Sequence, residues 1–506
     1  MSALPLPRCS PEAVGVPSRA VLDCLKALCH EETTMNGFMA ARHGKVFSEC
    51  WWAPYGRSLV HSNHSFGKSY TATAIGIAVG EGLVRLDERM VDIFTDEIRE
   101  RGIVPPAGVE RITVEHVLTM TNGMERMPDM TGDFIAHYFS TPLAHEPGTS
   151  FQYNSTGSCM LGAIILKRSG QNLKAYLTPR LFEKIGINPD AFVWRSFRDL
   201  PIDAEPGTFA RTEDNLRLAM LYLNGGRWND EQVLPESFVR AALSVHVSTA
   251  DAPEQRDGRC GYGYQLWACS VPGVYRFDGG QGQFGLIWPE KDVVVAIHEG
   301  AMGPRGPQMT LDAVYKTLFA ALSGEPLPEN PDHLATLRAA EKAAALPDDP
   351  VGHTPDTSFT GRYAVTGGEF DPWLSASPPG NGDFFRLFRT PILDRPIERF
   401  ELEVTEGVCR LALDGFGTLT AAFDGRLRAR EIPSPFEPLG HYAATARMEE
   451  EGGLELHIHW LNGWFETWVR FTKTETGLHA VTRKLRLNET DNYLIYEATA
   501  IRQGGE

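Results

Sequence analysis

Strand-like stretches stand at both ends of residues 1–323, and helical periodicity fills the interval between them. At the near end, Gly37–Arg42 and Lys45–Trp52 flank His43-Gly44, a step that suits a hairpin. At the far end, Tyr264–Trp267, Val274–Phe277, Phe284–Trp288 and Val293–His298 read as a meander, with Pro289–Asp292 a turn by composition. Helix patterns run from Arg19 to Cys29, from Ser69 to Val79, from Thr113 to Met120, from Asp214 to Asn224 and from Leu311 to Leu322. Strands at the two ends can share one antiparallel sheet, with an all-helical lobe inserted beside it. The expected class is α/β (α+β).

Residues 324–358 change character. They are rich in Pro, Asp and Ala, with one short helix at 333–344, and read as a linker. Beyond them Phe400–Val404, Val408–Leu413, Leu454–Trp460 and Trp464–Phe471 alternate apolar and polar residues, the pattern of an antiparallel sheet or barrel. The expected organisation is a first domain at 1–323, a linker at 324–358 and a C-terminal antiparallel β-domain at 359–506.

Composition narrows the function. The chain has 506 residues, 42% hydrophobic and 22% charged, the balance of a globular protein with an ample core. Its net charge of −17 argues against nucleic acid as a partner, because phosphate binding needs clustered positive charge. No apolar run reaches membrane-spanning length, and Met1–Arg8 lacks the apolar segment of a secretory signal. The eight cysteines form no Cys-x-x-Cys pair and read as reduced thiols, so the expected compartment is the cytoplasm. His61, His64 and His298 assemble into no metal-ligand pattern, and neither a metal nor a cofactor is expected. A homo-oligomer is left open.

Three stretches can carry chemistry. In Ser65-Phe66-Gly67-Lys68 a helix starting at Ser65 puts Lys68 one turn on, on the same face. A lysine amine in a partly desolvated pocket can accept the serine's proton, and the free N–H groups of the helix start can stabilise an oxyanion. Tyr153, in Phe151-Gln152-Tyr153-Asn154-Ser155, is either a proton shuttle or a tyrosine packed at a seam. Phe277-Asp278-Gly279-Gly280-Gln281-Gly282-Gln283 is either a glycine-rich strand end that meets a ligand closely or an ordinary hairpin turn.

Taken in this order, the three stretches resemble the serine β-lactamase and penicillin-binding-protein superfamily, with the closest likeness to its class C, esterase-like branch. The family order is S-x-x-K, Y-x-N, then a glycine-containing strand motif. The likeness covers about residues 11–322 and extends to Glu81–Asp87, Val117–Gly123 and Leu223–Trp228. It implies Ser65 as acylated nucleophile, Lys68 as base, Tyr153 as proton relay, and the N–H groups of Ser65 and Gly280 as oxyanion hole. Ser155, Phe277, Asp278, Gly279 and Gln281 would contact substrate. The trailing β-domain resembles the lipocalin-like appendages of some relatives.

Two departures bear on substrate. Ser155 occupies the place of the motif's asparagine, and Asn154 lies one residue early. Phe277-Asp278-Gly279 replaces the family's K-T-G, so the lysine that reads a substrate carboxylate is missing and an acid lies beside it. A neutral small-molecule ester or amide is the expected substrate. The alternatives are an aminopeptidase or amidase reading a substrate amine through Asp278, and a penicillin-recognising scaffold without turnover. Asp278 is equally a turn residue paired with Arg276 or another nearby cation.

Overall fold

The computed structural model describes residues 5–504 except 198–199, 201, 253–254, 302, 373–395, 433–438, 464 and 486–492. Two strands, β1 (Thr33–Arg42) and β2 (Lys45–Trp51), form the expected hairpin. Its turn residues His43 and Gly44 both take positive φ, 52° and 72°, matching the twist of a two-residue turn. In the interval lie β3 (His61–Ser62), β4 (Val193–Ser196), β5 (Asp203–Ala210) and the short pair β6 (Arg227–Trp228) and β7 (Glu231–Gln232). The far end supplies β8 (Trp267–Ala268), β9 (Tyr275–Gly279), β10 (Gln283–Trp288) and β11 (Val293–Ala301).

The two ends do share one sheet, in the order β2-β1-β11-β10-β9-β8. Residues Val293–Ala301 are buried along their whole length, which a strand covered on both faces requires. The Ser18–Leu28 helix covers one face with Val21, Leu22, Leu25 and Leu28. The lobe is mainly helical, and its largest helices are Gly67–Gly80, Ser155–Ser169 and Thr212–Leu223. It corrects the all-helical expectation in one respect: β3, β5 and β4 form a small sheet of their own. Their segments are too short and irregular in pattern to announce strands. The helix expected over 311–322 begins earlier, at Gly306, and continues past Ala313 as tighter and wider turns to Ala321.

The expected linker is partly docked. Its helix, Pro331–Ala343, buries Leu337 completely against the core under the first sheet, and Arg338 donates to the carbonyl of Phe47 at 3.1 Å. Ala53 N–H then donates to the carbonyl of Ala344 at 3.0 Å, and Leu346 N–H donates to the carbonyl of Ala53 at 2.7 Å.

The C-terminal strands are β12 (Gly361–Gly368), β13 (Arg399–Val404), β14 (Val408–Leu413), β15 (Gly417–Ala422), β16 (Arg430–Glu431), β17 (His441–Met448), β18 (Leu454–Trp460), β19 (Phe465–Lys473), β20 (Gly477–Leu485) and β21 (Tyr493–Arg502). They pair antiparallel in the order β15-β14-β13-β12-β21-β20-β19-β18-β17-β16. A parallel contact between Ala422 and Thr445 joins β15 to β17 and closes nine of them into a barrel, which leaves no open edge on the ring. Phe400, Leu402, Leu411, Leu456, Ile458 and Trp460 fill its interior. Trp464, expected to open a strand, lies outside the described residues.

Candidate active site

Short β3 leads the chain into a single tight turn, His64–Phe66, and the helix proper begins at Gly67 rather than Ser65. His64 takes φ 49°, a left-handed conformation rare outside glycine, which turns the chain sharply before Ser65. Lys68 still lies one turn on. Its Nζ donates to Ser65 Oγ at 2.9 Å, with Lys68 only 2% exposed and Ser65 half-buried. Nζ also lies 4.9 Å from the centre of the Tyr153 ring. Ser65, Lys68 and Tyr153, spread over 89 positions of sequence, therefore meet.

A polar network holds the turn from behind. Asn215 Nδ2 donates to Asn63 Oδ1 at 2.8 Å, Tyr70 Oη donates to Asn215 Oδ1 at 3.0 Å, and His298 Nε2 lies 2.8 Å from Asn215 Nδ2. All four side chains are buried, where an unmet hydrogen bond is costly and a met one rigidifies.

The glycine run closes the other side. A Cβ on Gly279 would lie 2.1 Å from the carbonyl oxygen of Asn63 and 3.1 Å from the backbone nitrogen of Phe66, so only glycine permits this approach of β9 to the turn. Gly280, Gln281 and Gly282 make the β9–β10 turn, the last two at φ 67° and 88°. Gln281 is 4% exposed, and its carbonyl accepts from Ala301 N–H at 3.0 Å.

The expected substrate contacts divide. Phe277 is corrected: its ring is fully buried between Phe66, at 5.2 Å, and Tyr222, at 5.0 Å, because alternation along β9 turns it into the core. Asp278 points to the opposite side and accepts from Arg276 Nε at 2.6 Å, the pairing that sequence alone left even with a substrate role. Ser155 opens the Ser155–Ser169 helix and is half-buried, while Asn154 is fully buried and caps that helix by accepting from Gly157 N–H at 2.8 Å.

Sequence reasoning missed an aromatic wall. Trp267 stacks beside Tyr153 at 6.1 Å and meets Phe151 at 5.4 Å and Tyr262 at 4.9 Å, with Met120 packed against the group. These residues come from three separate segments, around 120, 151–153 and 262–267, so no local spacing marks them. It also missed the barrel's approach. Ser62 N–H donates to the carbonyl of Asn462 at 2.9 Å, Asn462 Nδ2 donates to the carbonyl of Val60 at 2.8 Å, and His61 Nε2 lies 2.9 Å from the carbonyl of Gly463. The β18–β19 turn is thus hydrogen-bonded to the strand that delivers Ser65.

The three histidines here are buried and neutral. Desolvation pulls His64 down to about 3, with His61 and Lys68 adding to the effect, and takes His61 to about 4. His298 lies well below 6.5 for the same reason. Glu299, under the β9–β10 turn, is pushed up to about 8 by burial, against hydrogen bonds from Thr33 and Thr310. Below pH 6.5 the unfolded chain takes up protons that the folded histidines refuse, so these histidines make stability fall on acidification. Glu299 works the other way: folded, it keeps a proton that the unfolded chain releases above pH 4.5. At roughly 1.4 kcal/mol per group and pH unit, these four groups together lower stability by a net ~3 kcal/mol per unit below 6.5 and by ~1.4 above it, up to about pH 8. Thermal melts between pH 4.5 and 8.5 should therefore peak near 6.5. Glu299→Gln should make the alkaline limb shallower and the acid limb steeper, each by roughly 1.4 kcal/mol per pH unit.

Comparison with known proteins agrees with this architecture. The beta-lactamase family model matches residues 34–314. The chain belongs to the beta-lactamase family. Penicillin-binding protein 4 of Amycolatopsis lactamdurans is 26% identical over 309 residues, 53% of this chain and 79% of that protein. Among solved structures, a candidate 6-aminohexanoate-dimer hydrolase from Bacillus anthracis superposes with a TM-score of 0.51 at 17% identity, over 65% of this chain and 90% of that one. The octameric penicillin-binding protein homologue from Pyrococcus abyssi has a TM-score of 0.46 at 17% identity, over 94% of this chain and 99% of its own. Among the described residues no helix is long and apolar enough to cross a membrane.

Proposed function

We propose that the protein is a serine hydrolase that cleaves small uncharged esters or amides through an acyl-Ser65 intermediate. The observation that carries this reading is the 2.9 Å contact between Lys68 Nζ and Ser65 Oγ, with the amine buried and the hydroxyl on the open side. Burial disfavours the ammonium form, and a neutral amine takes the Ser65 proton as the oxygen attacks the carbonyl. The backbone N–H groups of Ser65 and Gly280 receive the oxyanion. Tyr153, with its ring against Lys68, relays the proton to the leaving group. Water then hydrolyses the acyl-enzyme by the reverse proton path.

Two features support an uncharged substrate. The Arg276–Asp278 pair presents neither a free carboxylate for a substrate amine nor a free cation for a substrate carboxylate. The half-buried rings of Phe151 and Tyr153, backed by the buried Tyr262 and Trp267, offer apolar contact instead. Incubation with a fluorophosphonate probe and a chromogenic ester tests the reading. The native chain should be labelled and turn over ester, and Ser65→Ala should do neither. Labelling that survives in Ser65→Ala, or a native chain inert to both reagents, would overturn it, the second result in favour of a binding protein.

A further inference from the structure

We propose that Asp349, His457 and His459 form a binding site for a divalent first-row transition metal ion, with Zn²⁺ as its probe, on the outer face of the barrel where the 345–350 segment crosses it. His457 and His459 stand two apart on β18, so both side chains leave the same face while Leu456, Ile458 and Trp460 fill the interior. Asp349 arrives from more than a hundred residues earlier, held by its backbone N–H donating to the carbonyl of Gly425 at 2.8 Å. One donor atom from each of the three lies within 4.8 Å of the other two.

Hydrogen bonds account for His457, which meets Asp349 and Glu466, and leave His459 unmet, where a metal ion would fit. Asp349 Oδ2 is 2.9 Å from His457 Nδ1 and 3.9 Å from His459 Nε2. Ligands around a tetrahedral zinc with bonds near 2.0–2.1 Å lie about 3.3 Å apart, between those two values. His459 is the telling residue. Its side chain is 8% exposed, yet neither ring nitrogen has a hydrogen-bond partner, the nearest carboxylate oxygens being 3.6 and 3.9 Å away. A buried imidazole left in that state is costly, and an ion between Nε2 and Asp349 resolves it.

The surroundings complete the pattern. Glu466, opposite His459 on β19, faces the remaining nitrogens of both rings: Oε2 is 3.1 Å from His457 Nε2 and Oε1 is 3.6 Å from His459 Nδ1. A carboxylate accepting from the far N–H of a ligating imidazole is what orients such ligands. Trp468 stacks on His457 at 4.6 Å and fixes the ring plane. A cavity of about 420 Å³, lined in part by Asp349, His457, His459 and Glu466, gives room for a water as fourth ligand. Two nitrogens and a carboxylate oxygen are the donors that bind zinc and its first-row neighbours. The bound ion would tie the segment that leaves the first sheet to the barrel wall. None of its ligands takes part in the proposed Ser65 chemistry.

The full chain, stripped with a chelator and titrated with Zn²⁺ against a chromophoric competitor, tests this. The native chain should take up one more equivalent than His459→Gln or Asp349→Asn, and Zn²⁺ should raise the melting midpoint of the native chain only. Glu466→Gln should bind 10–100-fold more weakly. Far-UV circular dichroism identifies a variant that has failed to fold, and the Asp349→Asn exchange, in a loop, serves where His459→Gln does. Equal zinc uptake by the native chain and the folded variants would assign the binding to cysteines and overturn the proposal. So would the absence of uptake at micromolar zinc, which would leave a closed histidine–carboxylate network.

Discussion

Lys68→Met should lower kcat/KM for a chromogenic ester by about 10²–10⁴, the range lost when a positioned general base is removed. Methionine matches the stem of the lysine in length and apolar character, and the site is 2% exposed, so the replacement keeps its packing. What it removes is the nitrogen 2.9 Å from Ser65 Oγ. The loss should fall on the acylation step, visible as slow labelling by the fluorophosphonate with little change in melting temperature. A Lys68→Met protein that acylates within threefold of the native rate would mean that another group takes the serine's proton. His64 is the only imidazole next to Ser65 in sequence, and burial already holds it neutral.

Gly279→Ala should be nearly as damaging, by a different route. The added methyl would meet the Asn63 carbonyl oxygen at 2.1 Å and Gln283 Cβ at 2.9 Å. The first of these is backbone and cannot rotate aside. Either β9 withdraws from the nucleophile turn or Asn63 abandons its contact with Asn215. Overpacking of this kind costs about 1–3 kcal/mol, and a shift of order 1 Å at the proposed oxyanion donors costs about 10² in rate. Gly280→Ala is the matched control for stability, since its Cβ would find nothing nearer than 3.8 Å. Melting curves on the pair, with ester kinetics on Gly279→Ala, check the argument. Equal melting temperatures of the two variants would show that β9 approaches the turn more loosely than 2.1 Å implies.

Much of the fold was legible because it rests on local periodicity. Barrel strands such as Arg399–Val404 alternate with period two and the Ser18–Leu28 helix repeats near 3.6, so these elements declare their own buried face, whereas Val293–Ala301 and Gly67–Gly80 are buried almost throughout and declare themselves by apolar composition. The β3–β5–β4 sheet was not legible, since two residues at His61–Ser62 are too few to show a period. In the site, Ser65 and Lys68 were legible because their contact is made within one helical turn. Phe277 was misassigned to the substrate although strand alternation already separates it from Asp278. The resemblance placed a motif at that position, and the motif says nothing about which face each residue takes.

Local spacing therefore determined most of the elements, that the strands at the two ends could share one sheet, that a further antiparallel β-domain follows, and that Ser65 and Lys68 stand one helical turn apart. Tertiary structure alone decided that Tyr153 lies against Lys68 and Trp267, that Arg276 neutralises Asp278, and that the barrel turn bonds to the strand before Ser65. It alone brought Asp349 beside His457 and His459. The physical reason is the range of the interactions. A turn of helix or a pleat relates residues two to four apart whatever surrounds them, whereas contacts across a hundred residues depend on the register of strands and the packing of faces, which no short stretch of sequence encodes by itself.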